Sequence, residues 1–231
     1  MTSYYDELEI RKAIDIITEG RPYEIRILFN SGKVMSGYYS EVDKFIEDLR
    51  KVNLSGSNVY ITLNELHPGC YCRIQRDRLL ESKGKSAPTT QDQDVVKYRW
   101  MLIDLDPLRP TGISSSEEEF EHSREMAQKV IEFMHELGFD EYVLAQSGNG
   151  YHLLYKIDLP VSTESKKLLE DCLKAVDESL SDDVVKVDTT NFNPSRICKL
   201  YGTLAQKGSD TKERPFRMSR IVEVLLSGEQ S

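Results

Sequence analysis

In Met101-Leu102-Ile103-Asp104-Leu105-Asp106-Pro107 an apolar run delivers two carboxylates two positions apart. On an extended strand side chains alternate between faces, so Asp104 and Asp106 share one. Like charges held side by side near a core repel, and one takes up a proton unless a cation compensates them. A hard, oxygen-ligated ion such as Mg²⁺ or Mn²⁺ suits that pair, although Asp-x-Asp alone also describes a strand-end turn with solvated acids. A second signal stands at Gln146-Ser147-Gly148-Asn149-Gly150-Tyr151-His152. Two glycines there surround a tight turn whose backbone N–H groups could face an anion, and Ser147 and His152 bracket it with a hydroxyl and an imidazole able to hold phosphate oxygens. Alone, this run is an ordinary Asn-Gly hairpin. Beside an acid pair at the same sheet end, it reads as metal on one side and triphosphate on the other. A third carboxylate, Asp188, closes Val184-Val185-Lys186-Val187, with Arg196 and Lys199 shortly after it. Three acids and two cations are what metal-assisted phosphoryl transfer requires, the acids for the ion and the bases for the triphosphate charge.

The elements that must position these groups follow from periodicity. Arg99 to Leu105 is an apolar strand, Ser116 to Leu137 an amphipathic helix and Tyr142 to Gln146 a strand; Asn149-Gly150 turns into the strand Tyr151 to Ile157. Thr163 to Leu180 is a second helix, and Val184 to Val187 is strand-like. The result is β-α-β-β-α-β, the ferredoxin-like order of common RNA-binding modules. Its first and third strands are antiparallel neighbours, which brings Asp104, Asp106 and His152 together. Asp188 fits this order poorly, because the fourth strand also runs antiparallel to the first and its far end should move away from Asp104. Upstream, the strand Tyr23 to Asn30, the turn Asn30-Ser31-Gly32, a helix over Glu41 to Lys51 and the strand Val59 to Leu63 form a mixed α/β lobe. The run Glu81 to Gln93 has no apolar period and reads as a loop or flap between two lobes, residues 1–93 and 94–231.

Composition bounds the partners. The chain has 231 residues and a net charge of −9, from 30 basic and 39 acidic side chains, which argues against coating nucleic acid by bulk electrostatics and confines such contacts to local patches. The charge is polarised: residues 101–145 are acidic, residues 186–220 basic. Glu117, Glu118, Glu119, Glu121 and Glu125 suit the first turns of a capped helix, whereas Lys186, Arg196, Lys199, Lys207, Lys212, Arg214, Arg217 and Arg220 suit either a solvated rim or a phosphate-binding wall. A second basic group, Arg73, Arg76, Arg78, Lys83 and Lys85, lies in or just before the loop and could follow a template backbone. Tyr38 and Tyr39 could stack on a base but are more often packing residues. No apolar run is long enough to cross a membrane, the acidic N-terminus is unlike a secretory leader, and four cysteines do not make a disulfide scaffold, so a cytoplasmic location is expected. Cys70-x-Cys72 with His67 is too short for a four-ligand zinc site.

The strand Asp-x-Asp, the Ser-Gly-Asn-Gly-Tyr-His turn and the strand-end Asp188 resemble the three motifs of archaeo-eukaryotic-type primases, in the primase-polymerase branch. The match extends to Val59-Tyr60-Ile61-Thr62-Leu63-Asn64, to the run from Asn193 to Thr203 and to Glu213-Arg214-Pro215, and covers most of the chain after about residue 35. The resemblance implies a two-lobed α+β catalytic domain that synthesises and extends primers from nucleoside triphosphates on a DNA template. It implies Asp104, Asp106 and Asp188 as the catalytic ligands of two Mg²⁺ or Mn²⁺ ions, and Ser147, Gly148, Asn149, Gly150, His152, Arg196 and Lys199 as the nucleotide-binding set. Relatives occur in plasmids, phages and CRISPR-linked loci, so a replication helicase or a CRISPR adaptation complex are the implied partners. Many relatives continue into a helical primase domain; nothing after Ser219 looks like one, which suggests a catalytic portion. Two rivals share the sheet: a template-independent nucleotide cyclase or signal-oligonucleotide synthase, and a non-catalytic nucleic-acid-binding module with aromatics on its central strands.

Overall fold

The computed structural model describes residues 3–227. Helix α1 (Glu7–Thr18) starts at Asp6, whose carboxylate accepts from the Leu8 and Glu9 amides, and buries Ile10, Ala13, Ile14 and Ile17 on one stripe. The hairpin of β1 (Tyr23–Phe29) and β2 (Val34–Tyr39) follows, then α2 (Val42–Leu49) and β3 (Ser57–Thr62). Two short strands, β4 (Glu65–Leu66) and β5 (Leu80–Glu81), precede the long β6 (Val95–Pro107). Next come α3 (Glu117–Glu136), the hairpin β7 (Tyr142–Gln146) and β8 (Tyr151–Pro160), α4 (Thr163–Leu180) and β9 (Val185–Val187). The chain closes with β10 (Ile197–Lys199), β11 (Leu204–Ala205), β12 (Arg217–Met218) and β13 (Arg220–Leu225). Among the described residues no helix is long and apolar enough to cross a membrane.

The second sheet runs β9-β6-β8-β7 with every neighbour antiparallel, which is the ferredoxin-like order; β13 extends it beyond β7. Alternation along β6 sorts its two faces. Tyr98, Met101, Ile103 and Leu105 pack under the helices with Val130, Met134, Leu169 and Leu173. On the other face Trp100 and Leu102, with Val143, Ala145 and Leu154, merge into one core with α1 and the first sheet. The Trp100 indole N–H donates to the Ile17 carbonyl at 2.9 Å, the kind of partner a buried indole requires. Both faces are thus covered, and among the described residues neither presents the open aromatic platform of an RNA-binding sheet. Only past Leu102, where the same alternation presents Asp104 and Asp106, do the two sheets part to leave a cleft.

The first sheet is ordered β10-β3-β1-β2-β5, and its edge strand β10 comes from the far end of the chain. In the opposite direction, β4 leaves the first lobe to pair with β6. Residue 93 therefore falls between two sheets that exchange strands across it. The run Glu81 to Gln93 is anchored: Ser82 Oγ donates to the Ala87 carbonyl, and the Thr90 amide donates to the buried Glu24 carboxylate. Tyr38 and Tyr39 are packing residues, their hydroxyls bound to Thr90 and Arg73 in the first case and donated to Asp48 in the second. The turn expected at Asn149-Gly150 is centred one residue earlier. Gln146 pairs with Tyr151, and the Ser147 amide donates to the Gly150 carbonyl, leaving Gly148 and Asn149 at the tip. Gly148 takes the positive φ of +98°, the requirement at the first central position of a type II′ hairpin.

Candidate functional site

The acids meet because two strands share one edge of β6. Strand β4 occupies its start, and β9, three residues long, pairs only with Leu105, Asp106 and Pro107. The end of β9 therefore stops opposite mid-strand, and the Asp188 amide donates to the Asp104 carbonyl at 3.0 Å. This removes the conflict in the plain ferredoxin order, which assumes a fourth strand as long as the first. The meeting is through backbone: the Asp188 carboxylate Oδ1 accepts from the Thr190 amide and hydroxyl at 2.9 and 2.7 Å. On the other side of β6, Asp104 pairs across the ladder with His152, whose Nε2 lies 3.4 Å from Asp104 Oδ1 while Nδ1 is 3.0 Å from the Tyr201 hydroxyl.

Burial pushes both strand carboxyls up. For Asp104 the His152 ring, Lys207 and Arg196 outweigh it and leave the group below the usual carboxylate value. Asp106 also feels the Asp104 charge and stays above that value, despite Arg109 Nη2 donating at 3.1 Å and Lys207 standing 3.9 Å away. Among the described residues no group of three His, Cys, Asp or Glu side chains is arranged to hold a metal ion. The donor chemistry of the pair nonetheless fits a hard divalent cation: two oxygen ligands on one strand face, with negative charge that the surrounding protein compensates incompletely.

The glycine turn lies directly against this pair. A Cβ on Gly150 would collide with the Leu105 carbonyl oxygen and stand 3.1 Å from Asp106 Oδ1, so only glycine allows the approach. Its Asn149 and Gly150 amides, however, are spent within the turn. Ser147 Oγ accepts from the Asn149 and Gly150 amides at 3.4 and 3.1 Å, and the Asn149 side chain accepts from the Ser115 amide. Ser147, Asn149 and His152 are the residues of this hairpin that line the cleft.

Cations and unpaired donors line the opposite wall of this cleft of about 300 Å³. Lys199 is 5% exposed, donates to Asn58 Oδ1 and the Leu204 carbonyl, and sits over the Tyr60 ring. Burial and the neighbouring Lys207 bring its ammonium down to about 7. Arg196 Nη2 donates to Thr190, but Arg196 Nε and Asn191 Nδ2 are buried without a partner among the described residues. Both residues line the cleft, and a buried donor without a partner is rare enough in a native fold to call for an explanation. Sequence reasoning brought Ser147, Asn149, His152, Arg196 and Lys199 to this cleft, placed Lys207 in a candidate phosphate-binding set, and missed Asn58, Tyr60 and Asn191. Asn191 stands in the same Asn-Phe-Asn-Pro-Ser-Arg run; the others depend on β3 and β10 pairing, which no local pattern announces.

The remaining basic residues divide. Arg73 spends its donors inside the lobe, on the Tyr38 hydroxyl at 2.5 Å and Asp94 at 2.7 Å. Arg76 lies over the Tyr71 ring, and Arg78, Lys83 and Lys85 are exposed; none of the five lines the cleft. Arg214 forks onto both oxygens of Glu119, and Arg217 reaches Glu117, so these two cations neutralise the acidic first turn of α3. That turn is capped as expected, by Ser116 and Glu119 reciprocally.

No family model and no curated protein matches the chain by sequence. Solved structures do match. The crystal structure of primase RepB′ superposes with a TM-score of 0.52 at 12% identity, over 94% of this chain and 56% of that one. The catalytic domain of primase RepB′ in complex with initiator DNA gives 0.50 at 12% identity, over 94% and 85%. The chain spans little more than half of the longer protein and most of its catalytic part. Mixed α+β, with two sheets that exchange strands and an acid pair where they part, it has the fold of the RepB′ primase catalytic domain.

Proposed function

We propose that the chain is the catalytic domain of a metal-dependent DNA primase-polymerase, which joins a nucleoside triphosphate to a 3′-hydroxyl on a DNA template. One observation carries the reading: two incompletely compensated carboxylates on one strand face a cleft wall holding a buried lysine and two buried donors without partners. Arg196, Asn191 and Lys199 take the triphosphate tail, and Ser147 and His152 bound it on the turn side. The 3′-oxygen forms its bond to the α-phosphorus as the bond to pyrophosphate breaks, and the hydroxyl proton passes to water. Divalent metal at Asp104 and Asp106, with Asp188 beside them, would favour the ionised hydroxyl and offset charge on the leaving group. His152, fixed between Asp104 and Tyr201, orients the Asp104 carboxylate.

Primer extension tests the proposal, with single-stranded template, either nucleotide type and Mg²⁺ or Mn²⁺. Incorporation that requires template, and that disappears in the folded Asp104→Ala/Asp106→Ala variant, is the expected result. Nucleotide condensation without added DNA would instead identify a cyclase or signal-oligonucleotide synthase.

A further inference from the structure

A cavity of about 480 Å³ lies apart from the acid pair, and none of the residues lining it lines the catalytic cleft. Segments distant in the chain build it: Tyr4 before α1, Asn30 in the β1–β2 turn, the 55–56 loop, residues 204–210 and Phe216. Its volume is that of a small-ligand site. One segment divides its residues between the two cavities, Ala205 and Lys207 lining the catalytic cleft and Leu204 and Gln206 this one.

The walls are preformed. Gln206, 4% exposed, donates from Nε2 to the Leu54 and Ser57 carbonyls at 2.9 and 2.7 Å and accepts from the Gly56 amide through Oε1 at 3.0 Å. The Leu204 amide donates to the Tyr4 carbonyl at 2.9 Å, and Asp210 Oδ1 accepts from the Phe216 amide at 2.8 Å.

Charge and shape narrow the occupant. Among the described residues Asp210 is the one charged group lining the cavity, which disfavours phosphates. Arg214 and Arg217, close by in the chain, are committed to Glu119 and Glu117. Asp210 retains Oδ2 as an acceptor for donors from outside the chain. A simple amine would leave most of the space empty, and an exposed carboxylate holds one weakly. A planar ring uses the walls better, since Tyr4 and Phe216 are half-buried aromatics. Of the four DNA bases, guanine alone presents two adjacent N–H donors on its pairing edge, the pattern that one carboxylate accepts. Asn30 adds a side-chain amide for the guanine carbonyl. We propose that this cavity binds the guanine base of a nucleoside, with the Asp210 carboxylate accepting from the ring N–H and the exocyclic amino group and with Tyr4 and Phe216 against the ring. The site goes beyond the nucleotidyl-transfer reading and does not depend on it.

Isothermal titration calorimetry with guanosine in the absence of divalent metal tests it, because guanosine carries no phosphate for Arg196 and Lys199 to hold. One guanosine should bind per chain, inosine, which lacks the exocyclic amino group, about tenfold more weakly, and adenosine more weakly still. Asp210→Asn keeps an oxygen for the Phe216 amide and turns the other acceptor into a donor. Guanosine affinity should then fall about tenfold or more, while xanthosine, with a carbonyl in place of that amino group, should gain affinity. The Asp104→Ala/Asp106→Ala variant should bind guanosine as the unsubstituted chain does, and a non-hydrolysable adenosine triphosphate should not displace it. The assignment is overturned by absence of guanosine binding at millimolar concentration, by equal binding of adenosine, by displacement with the triphosphate, or by an Asp210→Asn variant that keeps guanosine or fails to gain xanthosine. None of these results touches the nucleotidyl-transfer reading, which primer extension tests separately.

Discussion

Asp92-Gln93-Asp94 and Asp104-Leu105-Asp106 have the same spacing and lie close together in the chain, yet the fold uses them in opposite ways. The first pair sits on a single 3₁₀ turn, where neighbouring side chains fan apart and each carboxylate finds partners of its own. Asp92 accepts from the Ser195 amide and hydroxyl, and Asp94 from Arg73 and the Gln91 amide. Burial raises both groups, but these hydrogen bonds outweigh it, and both carboxyls end below their usual value. The second pair sits on a strand, which holds its carboxylates side by side, so that burial and the Asp104 charge keep Asp106 above that value. A closed pair fastens segments together; an open pair retains binding capacity for something the chain does not supply. The distinction lies in the backbone conformation beneath the motif, not in the motif.

Exchanging each pair for asparagine should separate the two uses most sharply. Asp104→Asn/Asp106→Asn should lower nucleotide incorporation about a thousandfold or more with the melting transition retained. Asp92→Asn/Asp94→Asn should leave incorporation per folded molecule within a few fold. Comparable losses in both double variants, measured in the same extension assay, would erase the contrast. Divalent ion provides a reading independent of activity. Manganese at a hundred times its dissociation constant should stabilise the unsubstituted chain by about 2.7 kcal/mol, and should do so equally in the Asp92/Asp94 double variant. The Asp104/Asp106 double variant should gain nothing; a full shift there would place the ion elsewhere. A smaller effect is expected at the closed pair itself. Asp94→Ala deprives the Arg73 guanidinium of its carboxylate partner and should cost about 1–3 kcal/mol in urea unfolding.

How far the sequence discloses these differences depends on how local each one is. The strand bearing Asp104, the two helices above it and the β7–β8 hairpin are legible from apolar period and capping residues, and with them the meeting of Asp104 and His152. The start of β6 is not, because Lys97 and Arg99 interrupt its period where β4 and an ion pair with Glu65 cover the edge. Helix α1 and strand β2 also escape notice, the first because its charged face dominates the N-terminal composition. Strand β10 is legible only as a basic run. Its role as the wall carrying Lys199 comes from pairing with β3, more than a hundred positions away, and no window of sequence contains both. The turn shifts by one residue for a physical reason that is likewise non-local: Gly150 is needed where the hairpin touches Leu105, which leaves Gly148 to take the positive φ.

The gentlest way to sharpen the contrast is acid. Asp92 and Asp94 both titrate below the ordinary aspartate value of 3.8, so the native state binds fewer protons than the unfolded chain as pH approaches that value. Stability from these groups is fully present above the unfolded pKa and is lost as pH falls through the lowered native one. Unfolding free energies measured from about pH 6 to pH 3 should therefore fall more steeply for the unsubstituted chain than for Asp92→Asn/Asp94→Asn. Other paired acids, such as Glu119 on Arg214, contribute the same background to both curves, so the difference between them isolates the pair. Parallel curves would mean that the Ser195 and Arg73 contacts do not persist in solution, and that the pair on the 3₁₀ turn is as open as the pair on the strand.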